Sequence, residues 1–263
     1  MYEFNYHKPS TLEEAQKLLA SASEGIYMAG GQTLIPTFKQ RLAAPSDVID
    51  LAGIEGLSGI SSVGDVLTIG AMTRHAEVAS SQQVRESIPA LAVLAGLIGD
   101  AQVRNRGTIG GSVANSDPAA DYPASVVTLN CSVITTHRTI AGTDFFKALF
   151  ETALTEGELI TRLEFSVPTR CAYAKFPNPA SRYAVVGVMI AEYSGHYQVG
   201  ITGAAGCAFR ARALEEALDN EVSAAAIDRT AINFESFNTD MHASAEYRAQ
   251  LVKVMARRAL AAL

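Results

Sequence analysis

Two glycine pairs about eighty residues apart constrain this chain more than any other feature. The first lies in Ala29-Gly30-Gly31-Gln32-Thr33-Leu34, directly after the apolar stretch Ile26-Tyr27-Met28. The second lies in Thr108-Ile109-Gly110-Gly111-Ser112. Adjacent glycines permit positive φ and close backbone approach, and successive N–H groups in such turns can converge on one anion. Two such nests in one fold can cradle the two phosphates of a dinucleotide from opposite sides. Neither segment fits G-x-G-x-x-G opening a helix in a βαβ unit, so a Rossmann nicotinamide site is disfavoured.

The second segment continues as Val113-Ala114-Asn115-Ser116-Asp117-Pro118-Ala119-Ala120-Asp121-Tyr122-Pro123, small and polar residues with two acids. Here the sequence resembles one family, the FAD-binding medium subunit of the molybdenum hydroxylases, related to xanthine dehydrogenase and carbon monoxide dehydrogenase. The likeness runs along the whole chain. Phe4 to Ala15 is similar to the family's opening strand and helix, and Gly157-Glu158-Leu159-Ile160 and Ala172-Tyr173-Ala174-Lys175-Phe176 are similar to two later segments. Tyr247-Arg248 with Leu251, and Arg257-Arg258-Ala259-Leu260, resemble its closing helix.

The resemblance implies a fold and a set of contacts. The fold is α+β: a two-part FAD domain of the vanillyl-alcohol-oxidase (PCMH) type over residues 1–170, with subdomains about 1–55 and 56–170, then a small α+β domain over 171–263. The implied cofactor-binding residues are Tyr27, Met28, Ala29, Gly30, Gly31, Gln32, Thr33, Leu34, Ile98, Thr108, Ile109, Gly110, Gly111, Ser112, Asp121, Ile160, Lys175 and Tyr183. Ser112 stands where many relatives carry asparagine, with a shorter reach. Asp121 is placed to accept from ribose or adenine groups, and Asp117, before Pro118, reads as a turn or cap residue. Lys175 is expected to set a cation near the flavin or phosphates. Molybdopterin and two 2Fe-2S clusters are implied on a large and a small partner subunit, in a dimer of heterotrimers.

Composition sets the outer bounds. A chain of 263 residues accommodates one large or two modest domains, and 48% apolar with 18% charged residues describes a globular protein. A formal charge of −6 argues against a nucleic-acid surface. The cysteines Cys131, Cys171 and Cys207 are widely spaced and the five histidines are dispersed, so no metal ligands are expected on this chain. No apolar stretch reaches bilayer length and the first residues lack a signal-peptide core, which together predict a cytoplasmic protein.

Strands are predicted at 26–29, 48–51, 66–70, 184–193 and 197–204, and helices at 11–20, 89–98, 211–219, 222–227 and from about Ser244. Thr73 is expected to cap a helix through Val78. A boundary is expected within 168–180, where Pro168, Pro177 and Pro179 cluster. The absence of regular βαβ alternation favours α+β. No catalytic acid/base pair or nucleophile constellation is present, which fits an electron-transfer flavoprotein. Two alternatives are an autonomous flavin oxidase, which would need its own substrate domain and acid/base, and a scaffold subunit that has lost FAD.

Overall fold

The computed structural model describes residues 1–263. The amino-terminal part runs β1 (Asn5–His7), α1 (Leu12–Ser21), β2 (Gly25–Met28), α2 (Leu34–Lys39) and β3 (Asp47–Asp50). Thr11 caps α1 by accepting from the Glu14 N–H at 3.1 Å, and Glu13 and Glu14 sit in the first turn where acids favour the helix dipole. The three strands form a parallel sheet in the order β1-β3-β2. This lobe is thus a small βαβαβ unit, a local exception to the absence of alternation read from the sequence. Its hydrophobic cluster is small, six buried side chains, Ala15, Ile49, Leu51, Ile54, Leu57 and Leu159, with Phe38 and Val48 buried outside that cluster.

The middle part contains β4 (Ile60–Val63), β5 (Val66–Gly70), α3 (His75–Ser80), α4 (Gln82–Ser87), α5 (Pro89–Gly96), α6 (Ala101–Arg106), α7 (Ile109–Asn115) and α8 (Tyr122–Thr128). It continues through β6 (Ser132–Thr135), β7 (Thr139–Ala141), α9 (Gly142–Phe145), β8 (Phe146–Ala148), β9 (Glu151–Thr152) and β10 (Ile160–Ser166). An antiparallel sheet β4-β5-β10-β6-β7 forms its floor, with β10 pairing both β5 and β6. Thr73 does not cap α3. Its hydroxyl accepts from the Gly59 N–H at 3.0 Å and donates to the Gly59 carbonyl at 3.1 Å, and α3 starts after Arg74 without a side-chain cap.

The carboxy-terminal part is an antiparallel sheet, β11 (Arg170–Pro177), β12 (Ala184–Tyr193), β13 (His196–Thr202) and β14 (Phe209–Arg210), followed by α10 (Arg212–Asn220), α11 (Ala224–Arg229) and α12 (Ala245–Ala261). Strand β12 is apolar over eight successive residues because both of its faces are covered, one by α12 and the other by α8. A core of 20 buried residues joins this sheet to α10–α12. The larger core of 30 lies under the middle part and also takes in Tyr173, Met189 and Ala191. Apolar packing is therefore continuous across residue 170.

Candidate functional site: a cleft built from two glycine segments

The parallel lobe and the middle part meet along a cleft of about 570 Å³, within the ordinary range for cofactor sites. Its first wall is the turn between β2 and α2. Gly31 has φ of 71°, the left-handed region that side chains rarely adopt. Gly30 is needed for a different reason: a Cβ there would lie 2.2 Å from the Arg106 carbonyl oxygen and 2.7 Å from Gly107 Cα. No carbonyl accepts from the N–H groups of Gly30, Gly31, Gln32 or Thr33. Four successive amide donors are left unclaimed beside the cleft.

The second glycine segment is not a loop of this kind. Thr108 caps α7 by accepting from the Gly111 N–H at 3.2 Å, so both glycines lie in the first turn of a helix. Ile109 donates to the Thr73 carbonyl at 3.0 Å, Gly110 to Ala71 at 2.8 Å and Ser112 to Thr108 at 3.0 Å. The expected second nest is therefore corrected, because its donors already have acceptors. These glycines provide space instead. A Cβ on Gly110 would sit 2.5 Å from Ala71 Cβ, and one on Gly111 would sit 3.2 Å from Ala29 Cβ. Their bareness lets the α7 terminus press against β5 and the first turn.

All the sequence-predicted contacts line this cleft except Ile109 and Lys175. The Ile109 side chain is fully buried in the main core. Lys175 sits behind the wall on β11, its side chain 3% exposed, with Nζ 2.9 Å from Asp121 Oδ2 and 3.0 Å from the Leu97 carbonyl. Its charge faces the Asp121 carboxylate, which corrects the expectation of a cation presented to the cofactor. The Tyr173 hydroxyl donates to Asp121 Oδ1 at 2.6 Å. Burial pushes the Asp121 carboxyl upward, while the Lys175 ammonium and Tyr173 hydroxyl favour the carboxylate. Each Asp121 oxygen keeps acceptor capacity toward the cleft. Tyr183, at the rim, remains 45% exposed.

Several further residues, not among the predicted contacts, also line the cleft. Met72 and His75 come from the segment after β5, Asn115 and Asp117 from the end of α7, and Leu154, Glu158 and Leu159 from the approach to β10. Glu158 is held by Arg138 through Nε and Nη2, both at 3.1 Å, by the Thr135 hydroxyl at 2.6 Å, and by the Thr155 N–H and hydroxyl at 2.9 Å. The Arg138 hydrogen bond leads the effects that bring its carboxyl down to about 2. Burial also brings His75 down, to about 4, which for an imidazole means the neutral form at pH 7. Only the side-by-side packing of α3 and α6 brings His75 to the cleft, and no motif announces it.

The residues present fit a dinucleotide. A row of free amide donors suits a pyrophosphate, the two glycine pairs let the first turn and the α7 terminus pack closely beside the cleft, and the Tyr27 hydroxyl is buried at the wall without a partner. Fold and cleft define a dinucleotide-binding flavoprotein chain. Residues 2–169 match the family described as the FAD-binding domain in molybdopterin dehydrogenase, and the chain belongs to that family. It is 33% identical over 269 residues to the nicotine 6-hydroxylase medium subunit of Paenarthrobacter nicotinovorans, covering 97% of this chain and 95% of that one. It is 34% identical over 275 residues to the carbon monoxide dehydrogenase medium chain of Hydrogenophaga pseudoflava, covering 98% and 96%. The fold superimposes on a chain of a crystallised, cyanide-inactivated copper- and molybdenum-containing CO dehydrogenase with TM-score 0.89, at 31% identity and 99% and 98% coverage. Quinoline 2-oxidoreductase from Pseudomonas putida 86 superimposes equally well, TM-score 0.89 at 27% identity and 99% and 96% coverage. The relatives are medium subunits of multi-subunit oxidoreductases, and this chain is a flavoprotein component of that kind. No helix is long and apolar enough to cross a membrane.

Proposed function

We propose that this chain binds FAD in the cleft and carries electrons from 2Fe-2S clusters on a small partner to an external acceptor, while substrate is hydroxylated at a molybdopterin centre on a large partner. The observation that carries the reading is the run of unclaimed N–H groups from Gly30 to Thr33, four successive residues that all line the cleft. When bound, FAD supplies a carrier that takes up electrons singly and hands them on in pairs. The amides of the first turn hold the pyrophosphate, and the bare α7 terminus lets it lie close to the backbone. Asp121, fixed by Tyr173 and Lys175, offers acceptor oxygens to hydroxyl or amino groups of the dinucleotide. Ile98, Ile160 and the Tyr183 rim surround its apolar parts and limit water access.

The assembly in this reading is a dimer of heterotrimers in the cytoplasm, and three cysteines without disulfide partners suit a reducing compartment. Residues 1–170 form the FAD domain, in subdomains about 1–55 and 56–170, and residues 171–263 the smaller domain. The test is the visible spectrum of the purified chain, alone and with its partners, followed by release and identification of the chromophore. Bound FAD that substrate reduces only when the molybdenum and iron–sulfur subunits are present supports the reading. A folded chain that takes up no FAD even in the complex overturns it.

A further inference from the structure

Three buried side-chain polar atoms in the molecule have no hydrogen-bond partner: Tyr27 OH, His75 Nδ1 and Tyr122 OH. Leaving a buried polar group without a partner is costly, so natural folds rarely keep one without a use. Two of the three belong to neighbouring rings. His75 and Tyr122 have centroids 5.3 Å apart and a tilt of 48°, and the residues are 4% and 0% exposed. Yet only His75 reaches the cleft wall.

The other imidazole nitrogen is also unpaired, and its surroundings are informative. Nε2 lies against Gly107, where an added Cβ would approach it to 2.6 Å. Gly107 in turn packs on Gly30, whose imaginary Cβ would be 2.7 Å from Gly107 Cα. The imidazole thus stands directly behind the point where the first turn and the α7 approach touch, with no side chain to screen its edge. The ring is neutral, held so by burial and by the nearby Arg104 charge. A neutral imidazole has one N–H and one bare nitrogen, and neither is matched within the protein.

We infer that His75 is a cofactor-positioning residue: with Nδ1 linked to the Tyr122 hydroxyl through one bridging water, it presents Nε2–H to an oxygen acceptor of the dinucleotide bound in the cleft. The inference rests on the FAD reading above and names a contact that the glycine segments do not supply. A donor relayed from Tyr122 to Nδ1 through that water fixes the tautomer, and the tautomer makes Nε2 a donor. The arrangement favours a ligand rich in oxygen acceptors and leaves the ring without charge.

The test uses the full chain with histidine labelled in nitrogen-15, titrated with FAD, alongside His75→Phe, His75→Gln and Tyr122→Phe. FAD affinity is read separately by fluorescence quenching. In the wild type, saturating FAD is expected to shift the Nε2 resonance of His75 and hold the ring as the Nε2–H tautomer. Tyr122→Phe is expected to mix the tautomers, a change that mere packing would not produce. His75→Phe is expected to weaken FAD binding roughly tenfold while His75→Gln, which can keep a donor near the same place, retains most of it. Imidazole resonances that stay unmoved at saturation overturn the inference even if His75→Phe fails to fold. A wild-type chain that binds no FAD at all removes the cofactor reading and this contact together.

Discussion

The two glycine segments look alike as text and act as opposites in the fold. The turn after β2 contributes donors: its four amides have no acceptor, and one glycine is there for a left-handed φ. The start of α7 contributes close packing: its amides are already bonded, and its glycines have ordinary negative φ and crowded surroundings. One segment grips and the other gives its neighbours in the fold clearance. A Gly-Gly pair therefore does not by itself say which of the two uses of glycine is present, bare backbone or unusual dihedral.

Substitutions can break or sharpen this contrast. The largest effect is expected behind the second segment, where Lys175→Met strands the buried Asp121 carboxylate. It should cost about 4 kcal/mol of folding stability by denaturant titration; a loss too small to resolve would mean that Asp121 is neutral. Next comes Gly110→Val, whose side chain meets the Ala71 backbone. About 3 kcal/mol should be lost whether or not FAD is present. Gly31→Val should cost about 2 kcal/mol through its left-handed backbone, since its nearest neighbour is the movable tip of Ile35 at 2.7 Å. It should also weaken FAD binding in the molecules that remain folded. If Gly31→Val bound FAD normally while Gly110→Val stayed stable and lost it, the assignment of grip and clearance would be reversed. Thr108→Ala, which removes only the α7 cap, should lower stability by about 1 kcal/mol.

Acid probes the same wall without a mutation, and its effect is nil at neutral pH. Glu158 has a folded pKa of about 2 against an ordinary value of 4.5. Its contribution is fully present above pH 4.5 and is lost as pH falls toward 2. Thermal melts between pH 5 and 2 should show that slope in the wild type and a shallower one in Glu158→Gln.

What the sequence disclosed follows from how locally each feature is determined. Strand β12 was legible to the residue, because burial on both faces demands a continuous apolar run. The starts of α1 and α12 were legible because Thr11 and Ser244 bond within their own first turns. Helix α7 was hidden, because two glycines argue against helix on propensity alone and it is the packing on Ala71 that selects it. Thr73 misled for the converse reason: a side chain with cap chemistry was taken by a turn fourteen residues earlier. In the site, contiguous stretches such as Tyr27 to Leu34 could be read as a unit. His75 and Met72 could not, since each reaches the cleft through tertiary placement, and Glu158, though inside the matching stretch Gly157 to Ile160, was not read as a wall residue. Lys175 belonged to a matching segment, yet its ammonium turns toward Asp121.

The six-residue cluster of the amino-terminal lobe has one further consequence. With so little apolar surface of its own, that lobe should be among the first parts to open, exchanging its amide hydrogens well before β12. A dinucleotide held by the Gly30–Thr33 amides on one side and the α7 wall on the other bridges the small lobe to the larger body. Ligand occupancy then becomes a clasp: saturating FAD should slow exchange in β1, β2 and β3 far more than in the carboxy-terminal sheet. The shelf life of the empty chain is accordingly set at its amino-terminal end.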